Sequence, residues 1–165
     1  MPPDTPTPGS PEDWLRHARS DLALAQQRSA PEILLTTLCF HTQQAAEKGI
    51  KAVLVQQGLV FPYTHDLARL ITLVKDARLP WPEELDAAAD LTEYAVGSRY
   101  PGPGGEIAET EYQQAIATAQ RVLPGLRTPY ADPHRREMRV AKWHDLTYMG
   151  GHYIVPEAGR TPPRL

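Results

Sequence analysis

Apolar side chains recur at steps of three and four along most of the chain. Prolines cut that pattern into five windows: residues 12–30, 32–61, 63–79, 83–100 and 104–123. Proline breaks helix interiors and suits first turns and loops, so these boundaries separate helices. In the first window Trp14, Leu15, Ala18, Leu22 and Ala25 share one face. Ser10 is its natural N-cap, Pro11 its first helical residue, and Glu12 and Asp13 suit the positive end of its dipole. In the second, Leu34 or Leu35, Leu38, Thr42, Ala45 or Ala46, Gly49 and Val53 predict a helix from Pro31 to Gln57, about 40 Å long, stopped by Gly58. The third carries Leu67, Leu70, Ile71 and Val74, with Thr64 or Asp66 as its cap. The fourth carries Leu85, Ala88, Ala89, Thr92, Ala95 and Val96 after the first turn Pro82-Glu83-Glu84. The fifth carries Ala108, Tyr112, Ala115, Ile116, Ala119, Val122 and Leu123, closed by Pro124-Gly125. None alternates as a strand does. The pattern predicts an all-α fold, an antiparallel up-and-down bundle of four to five helices. It spans residues 10–126, after a proline-rich N-terminus of residues 1–9 and before an irregular C-terminal tail of residues 127–165.

Composition sharpens this outline. Seventeen prolines make up about 10% of the chain, twice the usual share, and five of them lie in the first eleven residues. Residues 1–126 hold ten basic and sixteen acidic side chains, a net −6, whereas the tail holds seven and four, a net +3. A bundle this acidic is no broad coat for nucleic acid, because nonspecific binding rests on neutralising phosphates. The tail also holds Trp143, Tyr148, Tyr153 and Ile154, which suit a short hairpin around Gly150-Gly151 or packing on the bundle or a partner. The longest apolar stretch, residues 33–40, is far short of the roughly 20 residues of a membrane span. The N-terminus has neither the basic nor the apolar region of a signal peptide. The expectation is a cytoplasmic protein without a membrane anchor. Its lone cysteine, Cys39, reads as a buried small hydrophobe.

Chemistry concentrates in three stretches. Along the second helix His41, Gln44, Lys48 and Lys51 are spaced three, four and three, with Gln43 and Glu47 beside them. Such a stripe sets amide and cationic donors beside an anion; alternatively it is a solvated face with Glu47–Lys51 as an i,i+4 pair. At the end of the fourth window Pro101 disfavours helix at Tyr100, which puts Arg99 in the last turn. There Arg99 either caps free carbonyls or offers a guanidinium fork to phosphate oxygens. In Thr64-His65-Asp66-Leu67, His65 falls at the turn before the third helix. No metal site or cofactor is expected: His134, His144 and His152 have no short ligand spacing. Gly102-Pro103-Gly104-Gly105 lacks the Lys-Ser/Thr of a phosphate loop and reads as a connector.

Together, Phe40-His41-x-Gln43-Gln44-Ala45-Ala46-Glu47-Lys48-x-x-Lys51-Ala52-x-Leu54, Thr64-His65-Asp66-Leu67 and Ser98-Arg99-Tyr100-Pro101 resemble the HEPN domain family, in its order and on its helices. The resemblance covers the bundle and not the tail. It implies an antiparallel helical bundle that forms a homodimer, often encoded beside a small nucleotidyltransferase and paired with it as toxin and antitoxin. Toxic members are metal-independent ribonucleases, marked by an Arg followed, after four to six residues, by a His. Here Tyr100-Pro101-Gly102-Pro103-Gly104-Gly105-Glu106 follow Arg99, with no histidine in that interval. Arg139 and His144 have the spacing but lie in the tail, outside the resemblance. The expected function is therefore a nucleotide- or RNA-binding partner of a nucleotidyltransferase, with His41, Gln44, Lys48, Arg99 and Tyr100 as binding residues and no assigned catalytic residue. The alternatives are a ribonuclease toxin in which His41 or His65 stands in for the missing histidine, and a dimerisation module without ligand.

Overall fold

Ser10 starts the first helix, α1 (Pro11–Ala25), with its Oγ accepting from the Asp13 amide at 3.2 Å. The Asp13 carboxylate reaches back to the Gly9 amide at 3.0 Å, so cap and first turn satisfy each other's donors. The computed structural model describes residues 6–28, 30–95, 106–125, 147–149 and 152–154. They divide into two units, one within residues 1–131 and one within residues 132–165.

All regular secondary structure among the first unit's described residues is helical. The second helix, α2, runs Leu35–Gln56, so it starts four residues later than the sequence predicts. Pro31 is the cause. It sits second in a turn closed by the Ile33 amide on the Ala30 carbonyl, the place where proline's fixed φ favours a β-turn over a helix start. The end falls where expected. The Leu59 amide bonds the Leu54 carbonyl and the Gly58 amide bonds the Val55 carbonyl, a Schellman stop with Gly58 at φ 66°. The third helix, α3 (Leu67–Asp76), is capped by Asp66 on the Arg69 amide. It ends in the same motif with Arg78 at φ 55° in place of a glycine.

The fourth window departs from expectation. Glu83–Ala95 is a 3-10 helix of 13 residues, not an α-helix. Leu85, Ala88 and Leu91 are buried and Tyr94 packs on the core, a spacing of three that lines up at three residues per turn, and Ala95 is buried at the end of the segment. Tertiary bonds hold both ends. Asp86 accepts from Lys75 and from the Trp81 indole, Thr92 Oγ1 accepts from the Leu67 amide at 3.0 Å, and the Tyr94 hydroxyl donates to Glu111. The last helix, α4 (Glu109–Gly125), buries Tyr112, Ala115, Ile116, Ala119 and Val122. The Tyr112 hydroxyl donates to the Ala25 carbonyl at 2.8 Å, and Arg28 pairs with Glu109, tying α4 to the end of α1.

Leu38, Cys39, Ala46, Ile50 and Leu54 of α2 meet Leu67, Leu70 and Val74 of α3, together with α4 and the 3-10 helix, in one core. The second unit contains an antiparallel strand pair, β1 (Thr147–Met149) and β2 (His152–Ile154), in whose register Tyr148 is paired with Tyr153.

Candidate functional site

The α1–α2 pair sets two carboxylates among the donors of α2. Asp21 is the first. Its position, three after Ala18 and four before Ala25, places it on the buried face of α1, and it is 8% exposed. A carboxylate there requires partners, and α2 supplies two. His41 Nδ1 lies 3.0 Å from Asp21 Oδ1, and Lys48 Nζ lies 2.5 Å from Oδ2. The two residues are seven apart, two turns along one face, so their heads converge on a single carboxylate. His41 and Lys48 keep about a quarter of their side-chain surface in solvent (28% and 24%), whereas Asp21 keeps less.

Glu47 anchors the second cluster, on the neighbouring face. Its Oε1 accepts from Lys51 Nζ at 2.7 Å; its Oε2 accepts from Gln43 Nε2 at 2.8 Å and lies 3.0 Å from His65 Nδ1. Lys51 also donates to the Thr64 carbonyl, and Gln43 to the His65 carbonyl, so the Thr64-His65 turn is stitched onto α2. The Lys51 ammonium sits 5.8 Å from the Trp14 ring centre and 5.4 Å from that of Phe61, within cation–π reach of both. Gln43, Glu47 and Lys51 are buried. A solvated Glu47–Lys51 pair is thus not what forms. Lys51 leaves the stripe drawn through His41 and Lys48, because its ammonium turns toward Glu47 and the Trp14–Phe61 cleft.

Of the expected binding residues, His41 and Lys48 meet at Asp21. Gln44 donates to Gln43 Oε1 at 2.8 Å and so links the two clusters rather than joining the first. Arg99 and Tyr100 lie outside the described residues. Asp21 itself was missed. The signal for it was present: an acidic residue at a core position of the first window demands a buried cation or donor opposite. Among the described residues no group of His, Cys, Asp and Glu is arranged to hold a metal ion. No helix among them is long and apolar enough to cross a membrane. Cys39 is buried in the core, and burial, with Glu111 nearby, pushes its thiol up to about 11.

The family model for the HEPN domain matches residues 11–126, most of the chain. The chain belongs to the HEPN family. Two solved structures carry the same fold. The crystal structure of TT1696 from Thermus thermophilus is 31% identical, with a TM-score of 0.57 over 70% of this chain and 94% of its own. That of ST0689, an archaeal HEPN homologue, is 27% identical, with a TM-score of 0.55 over 71% and 94%. No curated protein matches. Within this HEPN bundle the quoted α2 motif divides into two sets. Gln43, Glu47 and Lys51 join His65 in a network that is buried except at His65, while His41 and Lys48 stand at the α1–α2 seam, both anchored on Asp21.

Proposed function

We propose that this HEPN bundle binds a phosphate-bearing ligand, a nucleotide or an RNA, along the α1–α2 seam. We propose further that it acts as a homodimer and as the partner of a nucleotidyltransferase in a toxin–antitoxin-like pair. The partnership and the homodimer rest on family membership. The ligand rests on one observation: His41 and Lys48 are both anchored on Asp21, at 3.0 and 2.5 Å, and both remain partly open to solvent. Donors fixed in advance at a surface seam suit phosphate oxygens, since little ordering remains to be done on binding. Arg99 is the proposed third donor. A specific observation also favours the ribonuclease alternative. Asp21 fixes His41 through Nδ1, and no described residue bonds Nε2, the arrangement of an imidazole oriented for proton transfer.

Binding of fluorescent nucleotide and RNA, read by polarisation in chelator, tests both. We expect binding without cleavage. Arg99→Ala should weaken it by about 1.5–3 kcal/mol, the worth of a charge-assisted hydrogen bond, and Arg99→Lys should weaken it while keeping stability. Metal-independent cleavage that disappears in Arg99→Ala would replace binding by the ribonuclease. Binding unchanged in Lys48→Gln would remove the seam from the ligand, and binding unchanged in Arg99→Ala and Arg99→Lys would remove Arg99 from it. Co-purification with the product of an adjacent nucleotidyltransferase gene, and light scattering, check the partner and the homodimer.

A further inference from the structure

The bundle presents an apolar patch beside the start of α1. Val60 and Tyr63 are 75% and 74% exposed, the highest values among the described large hydrophobic side chains. They flank Phe61, which packs on the core and meets the Trp14 ring edge-on at 6.1 Å. The segment that carries them is held at both ends. The Leu59 amide bonds the Leu54 carbonyl, Lys51 donates to the Thr64 carbonyl, and Gln43 donates to that of His65. Val60 and Tyr63 are therefore displayed by a fixed backbone, and the Tyr63 ring lies edge-on to that of His65 at 6.0 Å.

Residues 1–5, Met1-Pro2-Pro3-Asp4-Thr5, lie outside the described residues, but the place where they join the bundle does not. Thr7-Pro8-Gly9-Ser10 is a β-turn closed by the Ser10 amide on the Thr7 carbonyl at 3.0 Å. Proline second and glycine third, at φ 76°, make it type II. Such a turn reverses the chain, so the residues before Thr7 head back along the first turn of α1 instead of away from it. Exposure follows that course: Thr7 and Pro8 are exposed, and Pro6 is half-buried. Trp14, four residues after Ser10, lies about 6 Å along the axis. Five residues in the polyproline conformation span about 16 Å, enough to pass Trp14 and reach the neighbours of Phe61. Pro2, Pro3 and Pro6 favour that conformation, and polyproline segments dock on aromatic surfaces at small ordering cost.

We propose that the proline-rich arm, residues 1–6, folds back over Val60 and Tyr63 of its own chain and covers them. The patch is a polyproline-reading surface at the edge of His65, occupied in cis. A short tether sets an effective concentration in the millimolar range, so a contact that is weak between molecules closes within one. A proline-rich segment of another protein gains the patch only by displacing the arm.

NMR and hydroxyl-radical labelling of the full chain test this. The Tyr63 ring should show NOEs to proline rings of the arm. The bonds preceding Pro2, Pro3 and Pro6 should lack the cis form that an unfolded chain populates at about 10–30%, and Tyr63→Ser should restore it. Pro2→Gly, Pro3→Gly and Pro6→Gly together keep the arm's length and remove its polyproline habit. That variant should raise labelling of Val60 and Tyr63 about threefold or more, the value for an arm closed about two-thirds of the time or longer. Leu24 and Leu34, at the α1–α2 turn, should label as before. If Tyr63→Ser fails to fold, the glycine variant decides. Unchanged labelling of Tyr63, with cis signals at the unfolded level in the unmodified protein, overturns the proposal. Protection that disappears on dilution makes the occupant a second copy and overturns the contact in cis.

Discussion

Lys51 provides the sharpest test of how the Thr64-His65 turn is held. Its side chain is 7% exposed and that of Glu47 5%, so both charges have left water. Breaking a buried pair by removing one partner costs about 3–5 kcal/mol, mostly because the survivor is left buried and uncompensated. Lys51→Met keeps the length that fills the space between Trp14 and Phe61 and deletes only the charge. Glu47 then retains Gln43 Nε2 and His65 Nδ1, so the loss should fall near the lower end, about 3 kcal/mol. Glu47→Leu strands the ammonium with the Thr64 carbonyl and two ring faces, and the loss should fall near the upper end, about 5 kcal/mol. Carrying both changes removes both charges, and an apolar replacement of a buried pair is often nearly neutral. The double variant should therefore cost well under the sum, with a coupling of about 3 kcal/mol or more. Urea denaturation at constant m-value gives all three numbers. Single-variant losses below about 1 kcal/mol, the worth of an exposed pair, would refute the reasoning, since they would mean that water reaches the pair.

The two Schellman stops should respond in opposite directions. Gly58→Ala meets no atom within 4 Å, so its cost is the left-handed backbone alone, about 1 kcal/mol, while Arg78→Gly should stabilise by up to about 1 kcal/mol, both read as urea midpoints. The Cys39 thiol, fully buried and raised to about 11, should react with a disulfide reagent only as fast as the protein opens, so urea should accelerate labelling. Burial also raises the phenols of Tyr94, further helped by Glu111, and of Tyr112. A raised acid is neutral when folded and ionises earlier when unfolded. This part of the stability is whole below the unfolded values, about 9 for the thiol and 10 for the phenols, and is lost as pH rises toward the folded ones. Tyr112→Phe should cost about 1 kcal/mol at neutral pH, from its bond to the Ala25 carbonyl, and should make the alkaline decline shallower in urea melts.

The bundle was legible because its signals are local. Ser10, Pro11 and Asp13 lie within one turn, and Gly58 needs only its own φ to end α2. Pro31 was ambiguous because the same φ serves a first helical turn and a β-turn, and the Ile33–Ala30 bond chose the second. The 3-10 helix was hidden because Ala89, Thr92 and the buried Ala95 complete a 3-4 pattern; the steps of three from Leu85 through Ala88 and Leu91 to Tyr94 are the trace of the other period. Half of the candidate site was legible, since His41 and Lys48 share a stripe on one helix. The rest depends on the fold. Asp21 comes from another helix, and Glu47–Lys51 is buried by Trp14 and Phe61, which are far from it in sequence. Spacing along α2 cannot tell a pair facing water from one facing an aromatic cleft.

The overwound segment Glu83–Ala95 also fixes a length. Thirteen residues span about 26 Å at the 3-10 rise of about 2.0 Å and about 20 Å at the α rise of 1.5 Å. Relaxing it to an α-helix would draw its ends together by about 6 Å. Each step would turn 100° instead of 120°, so Tyr94, nine steps after Leu85, would swing by about half a turn. Thr92 would then leave the first amide of α3, and Tyr94 would leave Glu111. The segment is a stretched spacer, latched near its far end by two side chains.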